Sequence, residues 1–192
     1  CVDTNFWKPA QPIEINQNSE ILFIGNDGNR DYEMLINIAK DLKQFNFRFI
    51  SENSIIDKVH LPNVVVERGK WGSSVITDVD LRNIYVSSKI VVLPLKESTQ
   101  PSGQSVCLQA MSLGVPVIIS DTDGFWDKER FLHNESIYFI NPNEITNWTK
   151  SLEAIHKDNA LLLRLSKKGQ DLVDQEFSLK NFNSQLLSIL NI

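Results

Sequence analysis

Cysteine is scarce. Cys1 and Cys107 are the only two in 192 residues, and they form no Cys-x-x-Cys or Cys/His spacing. That excludes a disulfide scaffold, a zinc module and a redox motif, and makes a reducing compartment the simpler setting. Long apolar runs are missing too. The longest, around Ile90 to Leu95, falls far short of the ~20 residues that cross a bilayer. There is no basic excess: 19 Lys and Arg stand against 24 Asp and Glu, a net charge of −5, which argues against a nucleic-acid partner. His60, His133 and His156 lie in unrelated polar settings and read as surface residues. They build neither a metal-ligand spacing nor a Ser/His/Asp set. No signal peptide opens the chain, and a start on Cys rather than Met reads as a segment of something longer.

What is present is an ordinary packed core. Hydrophobic residues make up 42% of the chain and charged residues 22%, so disorder is excluded. Short, uniformly apolar runs alternate with helix-spaced ones. Ile21–Ile24, Phe47–Ile50, Val64–Val66, Ile90–Leu95, Val115–Ile119 and Ile137–Ile140 read as six strands. Because they are apolar throughout, both sheet faces should be covered, which predicts a parallel, Rossmann-like α/β sheet with helices on both faces. Thr77 with Asp80 reads as a capping box, and Gly114 as the residue that ends the helix Val106–Leu113. Residues 51–62 read as irregular. Asn141-Pro142-Asn143-Glu144 reads as a helix start, with Asn141 capping and Pro142 at the first helical position. That helix should run to about Lys157, another should cover 159–176, and Ser178 should cap a last one through Leu190.

Ligands on such a sheet sit at the carboxyl ends of the strands, so the loops 25–30, 67–78 and 96–105 matter most. In the first, Gly25 and Gly28 allow close backbone approach, and the next helix presents N–H groups. Arg30 is a cation near a helix start, where it opposes the helix dipole; a bound diphosphate would reverse that sign. The bland reading pairs it with Asp27 or Asp31. The third loop, Ser98 to Ser105, opens an apolar helix with small and polar residues, leaving N–H groups available to an anion. The bland reading is simple capping by Ser102 and Ser105, with Gln109 exposed. Trp7, Trp71, Trp126 and Trp148 read as packing residues. Asp121, Asp123 and Asp127 read as solvated, on the ligand edge.

Several motifs occur in a familiar order. Cys1-Val2-Asp3 is followed by Phe6-Trp7-Lys8-Pro9. Leu108-Gln109-Ala110-Met111 runs into Gly114-Val115-Pro116-Val117-Ile118, and Glu176-Phe177-Ser178 precedes the last helix. The chain thereby resembles, over nearly its whole length, the C-terminal donor-binding domain of a retaining GT-B glycosyltransferase of family 4. The resemblance implies residues 1–20 as an interdomain lead-in, 21–178 as the nucleotide-sugar-binding domain and 179–192 as a crossover helix towards the first domain. It implies Arg30 as the catalytic cation that clamps the donor diphosphate, with Gly25, Asn26, Ser102, Gly103, Gln104 and Ser105 beside it. Gln109 would meet the ribose, and the loop at Glu67 and Arg68 the base. The donor is a nucleoside-diphosphate sugar, with no cofactor and no essential metal. The acceptor, a glycan or a lipid, would be held by a missing N-terminal domain, and this segment alone would not catalyse transfer. The expected setting is cytoplasmic, with peripheral membrane association of the full-length protein. Where the family has an Arg and two Glu, this chain has Asn26, Pro101 and Gln109. Those departures keep open a degenerate domain that binds without catalysis. A GT-B epimerase or phosphorylase-like enzyme fits the motifs less well, and an unrelated Rossmann-like domain fits the length less well.

Overall fold

The computed structural model describes residues 1–9, 20–69 and 76–190. The expected lead-in around Pro12, the loop positions Trp71 and Gly72, and residues 191–192, which the sequence reading placed in a crossover helix, lie outside them. Six parallel strands form one sheet: β1 (Glu20–Ile24), β2 (Asn46–Ile50), β3 (Val64–Glu67), β4 (Ser88–Leu93), β5 (Val117–Ser120) and β6 (Tyr138–Ile140). Their spatial order is β3-β2-β1-β4-β5-β6. Among the described residues six α-helices accompany them: α1 (Tyr32–Asp41), α2 (Asp78–Ser87), α3 (Gln104–Ser112), α4 (Ile145–Lys157), α5 (Asn159–Leu172) and α6 (Leu179–Leu190). The doubly covered α/β sheet expected from the apolar strands is present.

Alternation along the strands splits the core in two. Ile21, Phe23, Phe47, Phe49, Ile90, Val92 and Ile118 pack with Leu35 and Ile38 of α1 and Trp148 and Leu152 of α4. Leu22, Ile50, Val91, Leu93, Val117 and Ile119 pack on the other face with Tyr85 of α2 and Cys107 and Met111 of α3. Trp7 and Trp148 are core residues, as packing required. Residues 1–9 form no regular element but are tied down: Val2 bonds to the carbonyl of Phe177 at 2.8 Å and accepts from the amide of Leu179 at 2.8 Å.

Local signals held where the chemistry was local. The Thr77/Asp80 capping box opens α2. Gly114 takes φ 71° just past α3. Ser178 Oγ accepts from the amide of Asn181 at the start of α6. Several boundaries moved. Pro94 and Pro116 lie outside β4 and β5, because a proline supplies no ladder N–H. A short 3-10 turn, Ser54–Lys58, interrupts the irregular stretch. Helix α5 stops at Leu172 and passes into a π-helical turn, Val173–Phe177. The helix start at Asn141-Pro142 is corrected. Asn143 is left-handed, with φ 65°, so no helix can pass through it, and α4 begins at Ile145.

His156 is not a free surface residue either. Its ring stacks on Phe45 at 4.0 Å between centroids. Burial, then the charges of Lys89 and Lys157, push its pKa down to about 4. An unfolded imidazole titrates near 6.5. Between those values the unfolded chain binds the proton and the native chain does not. The stability tied to the neutral ring is therefore complete above about pH 6.5 and is withdrawn as pH falls towards 4. Thermal melts from pH 7 downward should show a falling midpoint, and His156→Gln should make the fall shallower.

Candidate functional site

The chain reverses its direction of growth between β1 and β4, neighbours in space but not in sequence. At such a switch point the loops after the two strands diverge and leave a crevice. Here the two loops are stitched together. Asp31 donates its N–H to the carbonyl of Pro94 at 2.9 Å, and Lys96 donates to that of Asn29 at 2.9 Å. A third loop, after β5, closes on the second: the amide of Gly124 bonds to Ser98 O at 2.8 Å, and Ser120 Oγ accepts from the amide of Leu95 at 2.8 Å. The result is an open cleft of about 530 Å³, lined by Asp27, Asn29 and Arg30 and by residues 100–106.

Arg30 is the centre of this cleft. It is 3% exposed. Its stem and Nε lie over Gly25, where an added Cβ would stand 2.1 Å from Nε. Nε donates to the carbonyl of Ile24 at 3.4 Å, and Nη1 to Ser102 Oγ at 2.6 Å. Nη1 also lies 3.2 Å from Asp27 Oδ2. Of the two partners weighed from sequence, Asp27 is the one used. Nη2 has no hydrogen-bond partner among the described residues. Burial lowers the pKa of Arg30 from its ordinary value and Asp27 opposes that shift, and the group stays charged.

Helix α3 points its N-terminus into the same cleft. Gly103 is its cap residue, with φ 83°, and no side chain caps it. The first helical bond is from the amide of Cys107 to Gly103 O. The N–H groups of Gln104, Ser105 and Val106 therefore have no partner within the helix. A cationic fork and a bare helix start converge on one space, the arrangement that suits a phosphate group. Helix α1 behaves differently from expectation: Asp31 caps it, accepting from the amide of Met34 at 2.9 Å, so its N-terminus is already served.

The structure thus brings Arg30, Ser102, Gly103, Gln104 and Ser105 together, with Gly25 beneath the guanidinium. The other sequence candidates do not line this cleft. Asn26 is committed elsewhere: Nδ2 donates to Gly69 O at 2.9 Å, while Oδ1 accepts from Ser51 Oγ and from the amide of Glu52. It ties the loop after β1 to those after β2 and β3. Gln109 is buried rather than exposed, and its Oε1 accepts from Tyr85 Oη at 3.2 Å. Glu67 pairs with Arg48 at 2.7 Å. Arg68 donates to Glu52 O at 2.6 Å and pairs with Asp57. The loop 70–75 that follows them lies outside the described residues. Sequence reading did not single out Asn29 or Val106 as lining residues. Asp27 was seen there only as a partner for Arg30, although its carboxylate faces the cleft. Asp121 is paired with Lys128 in a second cleft, of about 410 Å³, beyond β5 and β6. Among the described residues no three His, Cys, Asp or Glu side chains gather as metal ligands, and no helix is long and apolar enough to cross a membrane.

Comparison with known proteins gives the family and the fold. The sequence profile of glycosyl transferases group 1 matches residues 18–158. The chain belongs to that family. Among curated proteins none matches at a significant level. Solved structures share the fold at low identity. The C-terminal domain of a glycosyl transferase group 1 family protein, LpcC from Francisella tularensis, is 18% identical with a TM-score of 0.70, over 93% of this chain and all of that one. HepE from Anabaena, solved in complex with UDP, is 16% identical with a TM-score of 0.78, over 99% of this chain and 55% of its own. Sucrose-phosphate synthase from Thermosynechococcus elongatus is 17% identical with a TM-score of 0.75, over 99% and 50%. The chain therefore spans about half the length of the last two. Its sheet is that of the C-terminal domain of a GT-B glycosyltransferase.

Proposed function

We propose that this group 1 domain is the donor-binding half of a retaining glycosyltransferase. The observation that carries the reading is the convergence of Arg30 and the uncapped start of α3 at the switch point of the sheet. The ligand is a nucleoside-diphosphate sugar, with UDP as the first candidate because HepE is solved with UDP. An acceptor domain N-terminal to this one supplies the other wall of the cleft.

In the reaction the bond between the anomeric carbon and the bridging oxygen of the diphosphate breaks, and its electron pair leaves with the nucleoside diphosphate. An acceptor hydroxyl forms the new glycosidic bond and passes its proton to an oxygen of the departing phosphate, with net retention. Negative charge grows on the leaving diphosphate, and Arg30 with the amides of Gln104 and Ser105 is preorganised to meet it. These residues supply the positive charge themselves, so the reading needs no essential metal. Gln109 is proposed for the ribose and the loop following Glu67 and Arg68 for the base.

A second reading, a domain that binds a nucleotide or sugar without transfer, is favoured by Asn26, whose side chain holds loops together. The test is the full-length protein carrying this chain, incubated with UDP-, GDP- and ADP-sugars and an acceptor mixture. Free nucleoside diphosphate, with the donor's anomeric configuration kept in the product by NMR, is the expected result. Binding without release for every donor would select the second reading.

A further inference from the structure

Among the described residues that line the cleft, the one acidic side chain stands where an anion site should avoid it. Asp27 Oδ2 faces Arg30 Nη1 at 3.2 Å. Its Oδ1 accepts from Ser102 Oγ at 3.0 Å and from the amide of Asn29 at 3.0 Å. The carboxylate therefore takes up both groups, Arg30 and Ser102, that a phosphate would use. The two partners differ in freedom. Arg30 is 3% exposed and held over Gly25 by its own stem, whereas the Asp27 side chain is 46% exposed. A half-exposed carboxylate gives up an ion pair at little loss, because water receives it. A buried guanidinium has nowhere else to go.

We propose that Asp27 is a resident counter-anion of this site, which an incoming diphosphate displaces from Arg30 and Ser102. This rests on the reading of the cleft as a diphosphate site. Once displaced, the carboxylate remains close to the phosphates and repels them. It thereby weakens binding of every anion and leaves only multiply charged, fork-bonding ligands able to hold the site. Monoanions and carboxylates are rejected. Bound nucleoside diphosphate is also released more readily, which suits a product that must leave after each turnover.

The test compares the chain with Asp27→Asn, which keeps one oxygen to accept from Asn29 and Ser102 and puts an uncharged amide group in place of the charged oxygen that faces Arg30. UDP and inorganic pyrophosphate are titrated into both proteins at low salt. The expected result is about tenfold tighter binding of both ligands by the variant, with a lower melting midpoint because the buried Arg30 loses its counter-charge. Where the parent chain binds UDP, equal or weaker UDP binding by the variant, with or without Mg²⁺, overturns the proposal and leaves the donor-site reading standing. Tighter pyrophosphate binding, with no nucleotide bound by either protein, supports the proposal and removes the nucleotide reading. Binding of neither ligand to either protein removes both. If the variant does not fold, the wild-type Asp27 carboxyl carbon is followed by NMR during pyrophosphate addition. Its signal shifts under the proposal, and an unmoved signal beside perturbed Ser102 overturns it.

Discussion

Arg30→Ala is expected to lower the affinity for a nucleoside diphosphate by about ten- to a hundredfold. A charge-assisted hydrogen bond contributes roughly 1.5–3 kcal/mol, and 1.4 kcal/mol corresponds to about a factor of ten. Arg30 is 3% exposed, and its Nη2 has no partner among the described residues, so it is poised for one such bond or more. Arg30→Lys should recover part of the loss, since it keeps a charge without the planar fork. Gly25→Ala should reproduce much of it with Arg30 still present. A Cβ there would stand 2.1 Å from Arg30 Nε, so the guanidinium must leave its seat. Calorimetric titration with UDP, with melting midpoints as the control for folding, checks all three. Unchanged affinity in Arg30→Ala would mean that the anion is held elsewhere.

Gly124→Ala should damage both stability and binding. Its Cβ would lie 2.6 Å from Ser98 O and 2.6 Å from Gln100 O, both backbone atoms that cannot swing aside. Overpacking of this kind costs about 1–3 kcal/mol. The only relief is to push the loop after β4 away from the loop after β5, which breaks the bond from Gly124 N to Ser98 O and carries Ser102 and Gly103 off Arg30. Urea denaturation and UDP titration on the same sample should therefore both shift. Gly28→Ala is the matched control, because a Cβ there meets nothing within 4 Å. Its stability should stay close to that of the parent chain.

The parts of the fold that were legible in the sequence rest on local chemistry or on burial. Strands apolar on both faces require a sheet covered on both sides, and that sheet formed. Gly114 and the Thr77/Asp80 box were readable because a left-handed residue and a reciprocal cap involve only near neighbours. Arg30 was readable because its charge runs against the adjacent helix dipole, a mismatch visible in one dimension. What was not legible depends on contacts distant in sequence. Asn141-Pro142 carries the residue types of a helix start, yet the same types make a turn when Asn143 goes left-handed. Gln109 has no sequence signal telling which way it faces; the Tyr85 hydroxyl, from another helix, decides it. Asn26 is taken up by Gly69, Ser51 and Glu52, and the pairing of Ser102 with Asp27 joins loops far apart along the chain. Helix α6 exposes Leu179, Phe182, Leu186 and Leu190.

The central claim is that a diphosphate sits between Arg30 and the start of α3. Two-dimensional ¹⁵N NMR of this chain during UDP titration tests it most directly. The account predicts saturable shifts concentrated at the amides of Gly103, Gln104 and Ser105 and at the Arg30 side-chain Nε–H. Absent shifts at those four positions, or shifts confined to the cleft around Lys128 and His133, would contradict it.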